Sequence, residues 1–378
     1  MHLRLTFVAT LAVFTSCGPD GLLGDDSGVG VNDLTGRGTA QAATPSPVPE
    51  TPVIAAPAEN PTTAAKIALG RLLFWDPLLS GDRDVACATC HHPDFAYTDG
   101  RALSIGVGGT GLGPLRIVNS AAPHRTTRNS MTVLNTAFNG SRDLRTPVPA
   151  DTAPMFWDSR AHGLEAQARG PITALDEMLG TGFTASTIFP EVVRRVGAVP
   201  EYVGRFDDAF GADSISEQNI VQAIAAFERT LTSLDTSFDR FQRGDTTALS
   251  AAAQRGLATF NTHGCAGCHN GAMFSDFQLH RLGVAGNSQD DFRTGGLRNI
   301  ARTAPYMHDG TLTTLNDVFA FYARVDRTLD PRLQQVRPFD ANERADVTAF
   351  FAALSDGTFD RMVPEAVPSG LPVGGAIH

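Results

Sequence analysis

Four of the chain's five cysteines fall in two copies of one pattern, Cys87-Ala-Thr-Cys90-His91 and Cys265-Ala-Gly-Cys268-His269. Two thiols one helical turn apart can each bond a vinyl group of one porphyrin, while the adjoining imidazole reaches the iron from below. C-x-x-C-H is therefore the attachment site of c-type haem. Three other chemistries use paired cysteines and fit less well. A disulfide framework has no reason to place a histidine directly after both pairs. A zinc module needs four ligands at compact spacing, and these pairs lie far apart. A thioredoxin-like pair belongs in a βαβ pattern, which is missing. Two covalent haems are expected, one on Cys87, Cys90 and His91, the other on Cys265, Cys268 and His269. The ligand opposite each histidine then decides the activity: a Met or second His closes the iron for electron transfer, whereas an open position admits peroxide or oxygen.

Elements must hold these motifs in place. Ala64, Ile67, Ala68, Leu72 and Leu73 recur with helical spacing until Asp76-Pro77 stops them, just ahead of the first motif. Gly- and Pro-rich stretches follow over 100–129 and 139–154. Ile220, Ala223, Ile224, Phe227, Leu231, Leu234 and Phe238 write one long amphipathic helix closed by Gly244. Another helix over 249–260 leads into the second motif, and a last one covers 342–354. Strand signals are few and short. The expected fold is mostly α: two cytochrome c-like haem domains related by duplication, with long loops.

The length of 378 residues suits two domains. We place a first haem domain at 62–243, a second at 244–362 and a flexible tail at 363–378. With 30 Lys and Arg against 40 Asp and Glu, and no block of like charge, the chain does not resemble a nucleic-acid binder. Arg4 and the short apolar run Leu5–Phe14 read as an export signal over residues 1–16. Small residues before Cys17 resemble a lipoprotein cleavage box, so Cys17 is a candidate for lipidation and the mature protein is placed in the periplasm, with a lipid as its one link to the membrane. Residues 17–61, rich in Gly, Pro, Ala and Thr, read as a disordered tether.

The strings "LGRLLFWDPLLSGDRDVACATCHHPDFAYTDG", "RNSMTVLNTAFN", "MFWDSRAHGLEAQARGPI", "FERTLTSLDTSFDRF" and "TAPYMHDGTLTTLNDVFAFY" resemble the bacterial di-haem cytochrome c peroxidase and MauG superfamily over about residues 62–355. The resemblance implies a Met, in the peroxidases, or a Tyr, in MauG-type enzymes, as second ligand of the C-terminal haem, fourteen residues after the His of the "HDG" motif. From His308 that position is Tyr322. Met307, Met273 and His280 are rival ligands at positions that do not match. The resemblance also assigns Trp157 to the space between the haems and Gln167, Pro171 and Glu177 to the peroxide pocket, with Glu177 shuttling a proton between the peroxide oxygens. Asn129, Thr303 and Pro305 match a calcium site that lies between the haems, Pro305 offering its carbonyl oxygen. No His occupies the family position that closes the first haem, although His124 lies nearby, so that iron is expected to be open. His92 is expected at the surface or beside a propionate, and Trp75 in the core or on an electron path.

"LFWDPLLSG" and "CATCHHPDFAYTDG" look most like the MbnH-type branch, which oxidises a tryptophan of a partner protein. The implied function is a periplasmic oxidoreductase that uses hydrogen peroxide to form a high-valent bis-haem state and oxidises a partner's tryptophan through long-range electron transfer. One alternative is a di-haem cytochrome c peroxidase reducing peroxide to water with electrons from a small cytochrome or cupredoxin. The other is a non-enzymatic electron-transfer cytochrome.

Overall fold

In the computed structural model, which describes residues 52–119, 125–284 and 290–378, helix α1 (Ala64–Trp75) begins where the Thr63 side chain accepts from the Lys66 amide at 3.3 Å. It ends at Asp76, whose carboxylate accepts from the Leu78 amide and so caps the next turn. The first cysteine motif forms a single helical turn, α2 (Cys87–Cys90). Helix α3 (Leu164–Thr173) carries Pro171 within it and runs on into a π-helical turn at Leu175–Leu179. Helices α4 (Ile188–Gly197), α5 (Pro200–Phe210) and α6 (Glu217–Glu228) complete the first half. The second half is built on α7 (Ser237–Gln242), α8 (Ala251–Thr262), α9 (Leu315–Arg324) and α10 (Ala341–Ala353). Among the described residues the strands are three antiparallel pairings of two residues each. The fold is mostly α, as expected.

Both halves use one device to hold their motif. The helix ahead of each C-x-x-C-H crosses a later helix at a glycine: Gly70 of α1 against the Ala223 carbonyl of α6, and Gly256 of α8 against the Asp346 carbonyl of α10. A Cβ at either glycine would press into backbone, so the close crossing requires a bare Cα. Around the first crossing pack Leu73, Phe74, Trp75, Ile224 and Phe227. Around the second pack Phe238, Phe260, Phe274, Phe350 and Leu354, with Phe238 edge-on to Phe274 and Phe350. Each such side chain contributes about 1.5–3 kcal/mol on burial.

Four expectations change. The long helix from Ile220 to Phe238 is two helices: α6 stops at Glu228 and α7 starts at Ser237. The run "TLTSLDTS" between them is rich in side chains that compete for backbone hydrogen bonds, and Thr236 and Asp239 close a capping box that begins a new helix. Because Phe238 enters the second core, the change from one core to the other falls at 231–238, ahead of the expected boundary at 243.

Residues 363–378 are not a free tail. Val367 and Ile377 join the first core, Val85 and Gly375 form a β-bridge, and Gly374 donates to the Trp75 carbonyl at 2.7 Å. Gly374 and Gly375 have φ of 75° and 81°, a backbone that carries no apolar periodicity to read. The end of the expected tether is also packed: Asn60 is buried and donates to Glu165 and to the Gln222 carbonyl. Cys17, the export signal and most of the tether lie outside the described residues, as does His124. No helix among the described residues is long and apolar enough to cross a membrane.

Candidate haem and peroxide site

Both cysteine motifs open on one cavity of about 650 Å³, lined by Cys90 and His91 on one side and by Cys265, Cys268 and His269 on the other. Cys87 sits at the edge of the first core. Each histidine is fixed in the same way: Nδ1 of His91 donates to the Tyr97 carbonyl at 3.1 Å, and Nδ1 of His269 to the Phe274 carbonyl at 3.0 Å. That bond orients the ring and leaves Nε2 as the coordinating nitrogen. Ser130 reinforces the first site, its hydroxyl bonding to the Cys90 carbonyl at 2.9 Å and lying 3.3 Å from His91 Nδ1. Burial holds both imidazoles neutral and raises the thiols, Cys90 and Cys265 to about 12. Neutral imidazoles and uncharged sulfurs in an apolar cavity fit two haems held by thioethers.

Gln167, Pro171 and Glu177 line the same cavity as Cys90 and His91. Glu177 sits in the π-helical turn that follows Pro171. Burial pushes its carboxyl up to about 7, with Asp176 adding to the shift and Arg160 opposing it. The backbone there is held from behind. Val107 donates to the Glu177 carbonyl at 3.0 Å, and a Cβ on Gly106 would press into the carbonyl oxygens of Asp176 and Glu177.

Trp157 joins the two sides of the cavity. Its Nε1 donates to the Asn129 carbonyl at 2.9 Å, and its own carbonyl accepts from the Arg293 amide at 2.6 Å. Buried Arg293 also donates to the Phe156 carbonyl at 3.0 Å. Asn129, Thr303 and Pro305 line the same cavity. The Asn129 side-chain amide donates to the Arg101 carbonyl, which leaves its oxygen for other use.

Tyr322 lies on α9 and lines the same cavity as Cys265, Cys268 and His269. Burial raises its phenol. Met307, Met273 and His280 line the cavity as well. His280 has no nitrogen to spare: Nε2 bonds Asp276 at 3.0 Å and Nδ1 bonds Asp330 at 2.7 Å. These bonds, Asp276 first, with the Cys268 sulfur and burial also acting, hold the ring cationic with its pKa up to about 11. Met273 is packed with Phe138 and Leu144. His92 is buried against Trp75 at 5.4 Å, which overturns the surface placement and leaves the place beside a propionate. Trp75 is fully buried in the first core, with its Nε1 unpartnered.

A family profile described as di-haem cytochrome c peroxidase matches residues 64–247. The methylamine utilization protein MauG of Methylorubrum extorquens is 36% identical, the alignment covering 79% of this chain and 80% of the relative. The cytochrome-c peroxidase IdrP1 of Denitromonas iodatirespirans is 34% identical over 82% of this chain and 85% of the relative. This chain belongs to the di-haem cytochrome c peroxidase and MauG family. Among solved structures, a MauG-like protein associated with microbial copper homeostasis superposes with a TM-score of 0.67 at 28% identity, covering 81% of this chain and 94% of that one. As a member of the di-haem peroxidase and MauG family the chain is an oxidoreductase carrying two haems c.

Membership in the family leaves several features of this cavity unread. Gly106 and Ser130 position Glu177 and His91 from loops that carry no periodic signal. Glu228 lines the cavity and is 4% exposed. One signal for it was present: four residues after Ile224, it continues the apolar stripe of α6 with a carboxyl group.

Proposed function

We propose that the chain uses hydrogen peroxide, bound at the first haem, to oxidise a tryptophan on a partner protein, with the oxidising power passing through Trp157 to a second haem held by His269 and Tyr322. The observation that carries this is Tyr322 lining the same cavity as Cys265, Cys268 and His269 while both nitrogens of His280 are engaged elsewhere. Bound through the six motif residues, the haems would supply a binding place for peroxide and a store for its two oxidising equivalents.

The protein does the rest. Glu177, poised near neutral pH, takes a proton from one peroxide oxygen and returns it to the other, which leaves as water. Gln167 offers hydrogen bonds beside it, and Pro171 adds no amide N–H to compete. A phenolate favours oxidised over reduced iron, so a Tyr322-held haem is a poor acceptor of single electrons from a small cytochrome. Trp157, tied to Asn129 and Arg293, is the aromatic bridge between the two sides. A Ca²⁺ ion would use the Asn129 side-chain oxygen, Thr303 and the Pro305 carbonyl, with water completing its shell. Residues 1–16 would direct export to the periplasm, and Cys17 would carry a lipid.

The likeness to MauG supports oxidation of a protein substrate. The likeness to IdrP1, named a cytochrome-c peroxidase, favours a second reading: peroxide reduced to water with electrons from a small cytochrome or cupredoxin. Mass spectrometry of proteins that co-purify with the holoprotein decides between them. A tryptophan mass shift that requires both peroxide and this protein supports our reading; rapid oxidation of a reduced small cytochrome with no modified protein supports the other.

A further inference from the structure

Peroxide reduction needs more protons than Glu177 can supply. In the balance H₂O₂ + 2 e⁻ + 2 H⁺ → 2 H₂O, the O–O bond breaks and the first oxygen leaves as water with both peroxide protons, one of them moved by Glu177. Glu177 ends as it began. The second oxygen leaves as water only when two electrons arrive from the donor, which is oxidised, together with two further protons.

We propose that Glu228 is a second proton-bearing acid of this cavity, giving its proton to the second peroxide oxygen as that oxygen leaves, the other proton coming from solvent. The proposal rests on the reading that peroxide is reduced here. Glu228 ends α6, lines the cavity, is 4% exposed, and its Oε2 has no hydrogen-bond partner. A buried carboxyl without a partner is costly as a carboxylate and far less so as a neutral acid. Glu228 and Glu177 line the same cavity as Cys90 and His91 of the first attachment site.

The surroundings keep Glu228 protonated. Burial raises its pKa to about 8, Glu165 of α3 adds to the shift, and the neighbouring Arg229 opposes it. Arg229 is committed to Glu165, which also accepts from Asn60, and Asn60 in turn accepts from Lys66 of α1 at 3.0 Å. This polar layer reaches solvent at Glu165, whose side chain is 17% exposed.

Two measurements on wild-type, Glu228→Gln and Glu228→Asp holoproteins test the assignment. Infrared spectra of the resting proteins at pH 7, in H₂O and D₂O, should show a protonated carboxylic acid C=O stretch that is lost in E228Q and kept in E228D. After one equivalent of peroxide, return to the resting spectrum with excess ferrocyanide should slow above pH 8 in wild type, slow about 10²-fold in E228Q with no such dependence, and recover in E228D. An unchanged infrared band in E228Q, a wild-type return rate in E228Q, or a slowing that E228D fails to repair overturns the proposal. A wild-type holoprotein that does not respond to peroxide overturns the functional reading along with it, whereas failure confined to E228Q overturns this assignment alone.

Discussion

The indole Nε1 of Trp157 donates to the backbone carbonyl of Asn129 at 2.9 Å, while the Trp157 carbonyl accepts from Arg293 in the second half of the chain. One residue is thereby tied to both sides of the cavity, through its ring on one and its backbone on the other. Trp157→Phe removes the first tether at a cost of about 1 kcal/mol. It should leave the rate of the peroxide-induced spectral change at the first haem intact and slow the change at the second. Time-resolved absorption separates the two; equal rates at both haems in W157F would remove the tryptophan from the path.

Glu177 titrates near pH 7 because burial disfavours its charged form. As the base that takes the peroxide proton it must be ionised, so the rate of reaction with peroxide should rise with pH and level off above about 7. Stopped-flow measurements across pH 5–9 check this. Glu177→Gln should lower the rate by about 10²–10⁴-fold and abolish the inflection.

Gly106→Ala should act on the same step from outside the pocket. The added methyl presses on the carbonyls of Asp176 and Glu177 and displaces the turn that carries the acid. Haem content should match wild type while reactivity toward peroxide falls in parallel with E177Q. A G106A protein with wild-type kinetics would show that the turn yields without moving the carboxyl.

The chemistry was more legible in the sequence than the architecture, and the reason is physical. Cys and His carry their roles in residue type and spacing, so Cys87, His91, Cys265 and His269 could be named before any fold, and the last three line the cavity; the role of Trp157 came only with the resemblance. Glu177 and Tyr322 needed the family register, because a lone carboxyl or phenol has many ordinary uses. The packed segment 363–378 was illegible because a β-bridge at Gly375 and glycines at positive φ leave no periodic trace. The break between α6 and α7 was hidden for the opposite reason: Leu231, Leu234 and Phe238 keep helical spacing although the chain between them turns and Phe238 enters another core. That His280 was no free ligand depended on Asp330, fifty residues away, and no local pattern reports such a partner.

The second half also has a stability signature. Arg298 grips Asp239 through two hydrogen bonds of 2.9 and 2.8 Å, and both side chains are almost wholly buried. Asp239 also caps α7, so Asp239→Ala strands a buried guanidinium and uncaps the helix. The expected loss is about 3–5 kcal/mol, read as a lower urea midpoint of the holoprotein. A loss under about 1 kcal/mol would mean that water reaches the site.

Oxidation of a partner protein depends most on the phenol of Tyr322 binding the second iron. Electron paramagnetic resonance of the resting ferric holoprotein, compared with that of Tyr322→Phe, tests it directly. We expect the signal of the second haem to change from a ligated to an open form in Y322F, with haem content intact and peroxide-dependent modification of the partner lost. An unchanged second-haem signal in Y322F would contradict the assignment and leave the chain a peroxidase without a route to a protein substrate.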